Sequence, residues 1–469
     1  MPFLTELCRN ALADRHPMTS RKLISRKAAS PDGRLPPASD GAGWGLRLPR
    51  RAFLRHAGAL ALGGAFVQRA FAENDPALDA LMGETDSPGS GLNFDQGSRT
   101  IAMPKATAPM LSPSTAQITE QAVKTYDGIV ARGGWPTVPQ TGELKIGVRD
   151  PGLVPLRQRL AASGDLDPHA VAADNDIYDS YVEEAVIRFQ ARHGLATNGV
   201  AHASTLAAMN ISAAMRRDQL KINIERLKTL TTNLGPRYVV VNIPAARVEA
   251  IENGVAVQRH TAVVGKPDRP SPDINSKIVQ VNFNPFWTVP VSIVHKDLIP
   301  LMQDKPDYLT DNHIRIYDAQ HREVLPSQIN WYSEDAVHYT FREDPGDHNS
   351  LGRIRINFPS QYGVYMHDTP LKNLFGGDFR YDSSGCCRVQ NVQELVVWLL
   401  DGTKGWGPDH IVEAVKSGEQ LNANLTRPVP LHWVYVTAWS ASDGVVQFRE
   451  DIYSRDGLGA PAIPATTKL

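Results

Sequence analysis

Cys386 follows Ser383-Ser384-Gly385 and precedes Cys387-Arg388-Val389, and His367 lies 19 residues upstream within Tyr365-Met366-His367-Asp368-Thr369. Acyl transfer through cysteine needs a thiolate, a neutral base to make it, and donors for the oxyanion on the attacked carbonyl. Histidine suits the base role because its unperturbed pKa lies near neutrality. The spacing allows a strand end and a loop to bring the two side chains together. Gly385 permits close backbone approach, so amides around Gly385 and Cys386 are candidate oxyanion donors. On a strand, Tyr365 and His367 share one face, which makes Tyr365 a candidate wall of the same site. A histidine and a cysteine can equally be structural, so the pair alone does not establish catalysis.

The chain holds three cysteines, Cys8, Cys386 and Cys387. Neighbouring Cα atoms lie about 3.8 Å apart, closer than ordinary disulfide geometry accepts, so a Cys386–Cys387 bond would be strained. Metal chemistry has little to build on. Cys386-Cys387 lacks CxxC spacing, no HExxH occurs, and His295, His313, His321, His338 and His348 are scattered and read as surface or core. Neither a G-x-G-x-x-G nor a P-loop is present, so nucleotide binding has no support and no cofactor is expected.

The elements that must hold this constellation are mostly strands. Tyr238-Val239-Val240-Val241-Asn242 is β-branched and apolar, and Arg247–Asn253 and Val255–Val264 flank a hairpin turn at Asn253-Gly254. Short strands are expected at Gly352–Phe358 and Gly363–His367, and late ones at Trp433–Trp439 and Val445–Arg449 around Asp443-Gly444. A helix follows Asn391, with Leu395, Val396 and Leu399 as its apolar face. Residues 291–345 interrupt the strands with mixed helical and polar text, an apparent insertion. The body over residues 216–469 is therefore mainly β with few helices.

Residues 116–215 read differently. A helical pattern runs from Ile118 to Arg132 and stops at Gly133-Gly134-Trp135-Pro136. Leu153, Leu156 and Leu160, then Val182, Val186 and Phe189, then Ser204–Met209 mark three short helices, a small bundle. Residues 73–115 are rich in Ser, Pro, Gly and Asp and read as a flexible spacer.

The formal net charge of −1 conceals a split. Residues 1–72 carry 12 Lys+Arg against 4 Asp+Glu, which leaves 37 against 46 in the remainder. A body of net charge −9 (37 − 46) is a poor partner for nucleic acid. The basic leader reads as an address. Arg50-Arg51-Ala52-Phe53-Leu54-Arg55 resembles the twin-arginine export motif, with a weakly apolar stretch Ala57–Val67 and an A-x-A cleavage site at Ala70-Phe71-Ala72. That stretch is too short to span a bilayer, so no transmembrane anchor is expected. Cleavage near Ala72 would remove Cys8 and deliver a folded protein to the periplasm. Met1 or Met18 could start the chain.

The pattern H-x(15)-S-x-G-C-x-R, made by His367, Ser383, Gly385, Cys386 and Arg388, resembles the signature of L,D-transpeptidases with a YkuD-type catalytic domain. The resemblance implies that His367 is the general base and Cys386 the nucleophile. Ser383, Ser384 and Gly385 would shape the oxyanion and orienting loop, and Tyr365 and Arg388 would lie against substrate. Ser384 stands where many members have a second histidine whose carbonyl orients the base, a role open to a serine backbone. Cys387 stands where an aliphatic residue is usual and reads as buried packing. Pro236–Asn242, Asn284-Pro285-Phe286-Trp287, the Trp331 region, Asp344-Pro345-Gly346 with Leu351-Gly352, and Asp451-Ile452-Tyr453 resemble the large YcbB-like branch, in which the insertion forms a mobile cap over the cleft. Ala185–Gln190, His193-Gly194-Leu195 and Asn198-Gly199 resemble the peptidoglycan-binding domain of wall enzymes.

The implied fold is a YkuD-type β-sandwich with few helices, a three-helix peptidoglycan-binding-like domain and an inserted cap. The implied partners are peptidoglycan tetrapeptide stems, as donor and acceptor, and carbapenem-type inhibitors. Cys386 would release D-alanine from a donor stem, hold a thioester, and pass the acyl group to an amine, giving a 3→3 cross-link. An L,D-carboxypeptidase or endopeptidase would use the same residues with water as acceptor, and attachment of a wall protein is a third choice of acceptor. A non-catalytic wall-binding protein is the reading from another class; intact His367, Gly385, Cys386 and Arg388 count against it.

Overall fold

The computed structural model describes residues 107–459 and residue 463, apart from residues 141, 172–174 and 378. The leader, its twin-arginine motif and residues 73–106 of the spacer lie outside the described residues. The expected spacer boundary moves. Met110 and Leu111 are buried, Met110 N–H donates to Glu249 Oε2 at 2.8 Å, and the Leu111 carbonyl accepts from Tyr238 Oη at 2.6 Å. The Thr107 carbonyl also accepts from Ala256 N–H at 2.8 Å, so residues 107–111 of the expected spacer lie against the sheet.

Helices α1 (Thr115–Ala131), α2 (Leu153–Ala162), α3 (Ser180–His193), α4 (Ala203–Met209) and α5 (Ala213–Leu230) form the helical part. Helix α3 starts where Asp179 accepts from Val182 N–H and ends at Gly194 in the left-handed region, which satisfies donors and carbonyls at both ends. Leu153, Leu156, Leu160, Val182, Val186 and Phe189 share one buried core, as their spacing requires. The boundary expected at 215/216 falls inside α5. That helix hides from pattern reading because its buried side mixes Leu220, Ile224 and Leu227 with Arg216, Gln219 and Asn223. Two of these buried polar groups tie the helix to the C-terminal segment. Asn223 Nδ2 donates to Thr437 Oγ1 at 2.7 Å, Thr437 N–H donates to Asn223 Oδ1 at 2.9 Å, and Gln219 Nε2 donates to the Arg449 carbonyl at 2.9 Å. Arg449 Nη1 in turn donates to the Arg192 carbonyl of α3 at 2.9 Å.

The main sheet contains β1 (Arg237–Asn242), β2 (Arg247–Glu252), β3 (Val255–Gly265), β4 (Ile274–Phe283), β9 (Ile354–Asn357), β10 (Met366–His367), β11 (Tyr381–Ser383), β12 (Cys387–Val389) and β13 (Leu421–Val434). Their order is β11-β3-β12-β10-β9-β4-β13-β1-β2, and an additional β2–β3 pairing closes the sheet on itself. The mainly β expectation holds, in a barrel-like form. Strand β1 is apolar throughout because both of its faces are covered. Val239 and Val241 enter the barrel core, while Tyr238 and Val240 pack with Leu111 and Leu227 on the other side. The β2–β3 hairpin turns at Asn253 (φ 53°) and Gly254 (φ 81°), the pair of positive angles that matches strand twist. Helices α6 (Val392–Leu399) and α7 (Pro408–Ser417) cap the barrel core with Leu395, Val396, Leu399, Ile411 and Ala414.

Between β4 and β9 the chain builds a second core around Leu298, Leu309, Ile316 and Phe341. It carries short helical turns from Val291 to Asp311 and a four-stranded sheet in the order β5-β8-β6-β7, made of Trp287–Thr288, Thr340–Glu343, Ile314–Tyr317 and Glu323–Val324. The insertion over 291–345 is thus a folded unit whose sheet begins at Trp287. Two of the scattered histidines, His313 and His348, meet there with ring centroids 4.4 Å apart.

Candidate active site

Strands β10 and β12 run parallel, with Met366 beside Cys387 and His367 beside Arg388. Because side chains alternate across a strand, this register sorts the motif between two faces. Met366 and Cys387 point into the barrel core and are wholly buried. The pair His367 and Arg388 takes the opposite face, and Tyr365 and Cys386 each stand one residue before their strand. Cys386 is only partly buried, and both Cys386 and Cys387 are free thiols. On its other side His367 pairs with Arg355 of β9.

The loop before Cys386 is held by side chains. Ser383 Oγ donates to the Cys386 carbonyl at 2.6 Å and accepts from Gly385 N–H at 3.1 Å. Ser271 Oγ donates to the Gly385 carbonyl and accepts from Gly265 N–H, each at 2.9 Å. Tyr453 Oη closes the circuit, donating to the Gly265 carbonyl at 2.6 Å and accepting from Ser271 N–H at 3.0 Å. Gly385 has φ +112°, a conformation that L side chains rarely adopt, which is why glycine stands there. Of the two amides expected as oxyanion donors, that of Gly385 is spent on Ser383. The Cys386 amide has no partner among the described residues.

His367 is buried, and its Nδ1 donates to the Asp368 carbonyl. That bond places the proton on Nδ1 and leaves the Nε2 lone pair free to accept a proton. The resemblance implied the Ser384 carbonyl in this role, and the structure uses Asp368 instead. Asp368 can serve because it is anchored three ways. Its carboxylate accepts from Lys372 Nζ at 2.5 Å and Arg353 N–H at 3.1 Å, and its own N–H donates to the Ile354 carbonyl at 2.9 Å. Ser384 is exposed, and its Oγ accepts from Arg269 Nη1 at 3.1 Å. Arg269 is also paired with Asp297 of the insertion, Nη2 to Oδ1 at 2.6 Å, so one guanidinium joins the insertion to the nucleophile loop.

Electrostatics favour a neutral resting pair. Burial, then the Arg388 charge and more weakly Arg355, lowers the His367 pKa to about 3, against a smaller rise from the Asp368 carbonyl. Burial raises the Cys386 thiol above its ordinary value, partly offset by a Tyr365 backbone hydrogen bond and by Arg388. Burial pushes Cys387 far higher, which suits a packing residue. Among the described residues no three His, Cys, Asp or Glu side chains converge as a metal-ligand set.

Buried imidazoles also make stability depend on pH. Burial holds His260 at about 4, His193 well below its usual value and His367 at about 3, whereas the unfolded chain takes up these protons near pH 6.5. The unfolded state binds more protons between those values, so stability is complete above pH 6.5 and falls as pH drops toward 4 and 3. His260 and His367 should each cost on the order of 2 kcal/mol at pH 5, and His193 acts in the same direction. Glu343, raised to about 7 by burial, opposes this trend over the window between 4.5 and 7. Urea midpoints at pH 7.5 and 5 should drop accordingly, and His260→Gln should flatten the slope by one histidine's share. An unchanged slope in that variant would show that His260 is already charged in the fold.

Residues missed by sequence reasoning are Ser271, Tyr453, Asp368, Arg269 and Arg355. Asp368 and Tyr453 stood in quoted segments without a role, and Arg355 had a local signal, since Ile354-Arg355-Ile356-Asn357 alternates apolar and polar.

Comparison with known proteins agrees with the motif. Residues 236–411 match the family YkuD, described as "L,D-transpeptidase catalytic domain", and residues 149–209 match PG_binding_1, described as "Putative peptidoglycan binding domain". A Haemophilus influenzae protein named "Putative L,D-transpeptidase" is 32% identical over 242 residues, covering 51% of this chain and 48% of that protein. The chain therefore spans about half the length of this curated relative. Solved L,D-transpeptidases include one from Xylanimonas cellulosilytica, 14% identical over 63% of this chain and 99% of that one at a TM-score of 0.20. Another, L,D-transpeptidase 1 of Mycobacterium tuberculosis, is 14% identical over 42% and 61% of the respective chains at a TM-score of 0.17. Likenesses this loose carry none of the argument. Among the described residues no helix is long and apolar enough to cross a membrane. The chain carries a catalytic domain of the YkuD L,D-transpeptidase family together with a peptidoglycan-binding domain.

Proposed function

We propose that this chain is an exported L,D-transpeptidase that cross-links peptidoglycan through a Cys386 thioester. The observation behind this reading is the strand register, which sends Cys387 to the core beside Met366 and leaves Cys386, one residue before β12, partly open next to the strand that carries His367. His367 Nε2 takes the thiol proton as Sγ attacks the carbonyl of the diamino acid that precedes the terminal D-alanine. D-alanine leaves as the amine, taking the proton back from His367, and the acyl group stays on Sγ. An amine from a second stem then attacks the thioester, His367 removes its extra proton, and the thiol is restored. The Cys386 amide is the available donor for the oxyanion in both halves. Tyr365 walls the site, and Arg388 stands beside His367 with its charge keeping the base neutral between turnovers.

Donor and acceptor are both tetrapeptide stems, the chemistry belongs outside the cytoplasm, and carbapenem-type β-lactams are electrophiles that Cys386 would open. The folded insertion, tied to the nucleophile loop through Arg269, gives surface for a second stem, which favours an amine over water as acceptor. The test is to incubate the purified chain with disaccharide tetrapeptide and weigh the products. Dimers lacking one D-alanine, linked between two third-position residues, are expected. Tripeptide monomer alone, at high acceptor concentration and dependent on Cys386, would mean a carboxypeptidase.

A further inference from the structure

The face that bears His367 and Arg388 continues across the sheet as a field of carboxamides. Arg355 of β9 pairs with Asn282 of β4, and Asn282 pairs with Asn422 of β13. A second row beside it pairs Asn357 with Gln280, and Gln280 with Asn424. Val281, Ile356 and Ala423, the alternating neighbours, lie in the barrel core, so both polar rows face outward. The amides brace one another. Asn282 Nδ2 donates to Gln280 Oε1 at 2.9 Å and to Asn422 Oδ1, Gln280 Nε2 donates to Asn424 Oδ1 at 2.8 Å, and Asn357 Nδ2 donates to Gln280 Oε1 at 3.1 Å and to Asn282 Oδ1. Arg355 Nε donates to Asn282 Oδ1 at 2.9 Å, and its guanidinium lies 5.0 Å from the centroid of the Tyr365 ring.

This bracing leaves a defined set of groups unspent. Among the described residues the Arg355 Nη atoms, Asn357 Oδ1 and the Nδ2 atoms of Asn422 and Asn424 have no hydrogen-bond partner. They offer an acceptor, two neutral donors and a cationic fork, pre-positioned by the amides behind them. An exposed sheet face is usually furnished with threonine and charged residues, and carboxamides are depleted from strands. A row of them leading away from a nucleophile therefore asks for a ligand.

We infer that these six residues form the track on which the donor stem lies, with Arg355 taking a free carboxylate of the stem. The inference rests on the proposed function, and chemistry favours this occupant. Strands β9, β4 and β13 are interior to the sheet, so their backbone groups are already paired and recognition must come from side chains. A stem mixes L and D centres, and D residues cannot hold the φ/ψ of an added strand of L residues. Carboxamides avoid that difficulty, because each presents a donor and an acceptor at the end of a rotatable stem and can meet a peptide amide of either chirality. Arg355 adds bidentate selection of a carboxylate beside the reacting centre.

Binding of disaccharide tetrapeptide to the full-length Cys386→Ala protein, measured by calorimetry, tests the track separately from turnover. Arg355→Gln should weaken binding about tenfold or more, since it removes a charged hydrogen-bond pair. The same substitution should matter little for a tetrapeptide whose carboxylates are amidated. Because Arg355 is half-buried, Asn422→Ala with Asn424→Ala provides a second variant at exposed positions, expected to keep the thermal midpoint and to weaken binding several-fold. Dissociation constants within twofold of the parent in both variants would overturn the track, as would equal weakening for free and amidated peptides, or no binding by the parent. Track-dependent binding together with failure to form dimers would uphold the track and remove the cross-linking reading.

Discussion

Cys386→Ala is expected to abolish the covalent acyl-enzyme, whereas Cys387→Ala keeps most of it. Two adjacent thiols could not be told apart by chemistry, but the strand separates them. Cys386, just before the strand, is partly open, and Cys387 lies wholly buried beside Met366. Burial keeps the Cys387 thiol protonated, so it is a poor nucleophile as well as an inaccessible one. Its loss removes one heavy atom from a packed core and should cost about 1 kcal/mol. Intact mass after incubation with a carbapenem reads the outcome directly. An adduct that persists on the Cys386→Ala protein would overturn the assignment.

Removing the base should be nearly as severe. General-base catalysis is worth about 10²–10⁴-fold, so His367→Ala should slow acylation of Cys386 by that factor. Its pH profile should also change shape. In the parent, His367 stays neutral down to about 3, so the base is present throughout the working range. Without it only spontaneous ionisation supplies thiolate, and the thiol sits above its ordinary value. The variant's rate should therefore climb about tenfold per pH unit between 6 and 9, while the parent's rises less steeply. Second-order rate constants for carbapenem acylation across this range provide the measurement. A variant with the parent's rate and slope would show that His367 does not handle the proton.

What could be read from the residues was whatever local pattern encodes. The Asn253-Gly254 hairpin, the apolar stripes of α2 and α3 and the buried β1 run all follow from local pattern. The losses have equally physical causes. Strand β13 contains Pro428 and Pro430, which argue against a central strand, and the structure absorbs them with an irregularity between Asn424 and Val429. Helix α5 buries polar side chains that only the distant Thr437 and Arg449 explain. At the site, motif residues were legible but their support was not. Ser271 and Tyr453 reach the nucleophile loop from 115 and 67 positions away (386 − 271 and 453 − 386), and no spacing rule links such residues. The orienting carbonyl moved from Ser384 to Asp368 because a side-chain network, invisible to a motif, anchors the latter.

The hydrogen bonds from α5 to Thr437 and Arg449, and from Arg449 to α3, make the joint between the peptidoglycan-binding helices and the barrel stiff. A flexibly tethered wall-binding domain would raise local substrate concentration and let the nucleophile sweep a volume set by its linker. A stiff joint behaves as a caliper. If residues 149–209 hold the wall, as the proposed function requires, the distance and angle from that grip to Cys386 would be set by the protein. Stems would then be reached according to their spacing on the mesh rather than their abundance alone. Lengthening the joint would be expected to change which stems are joined before it changed how fast any one of them reacts.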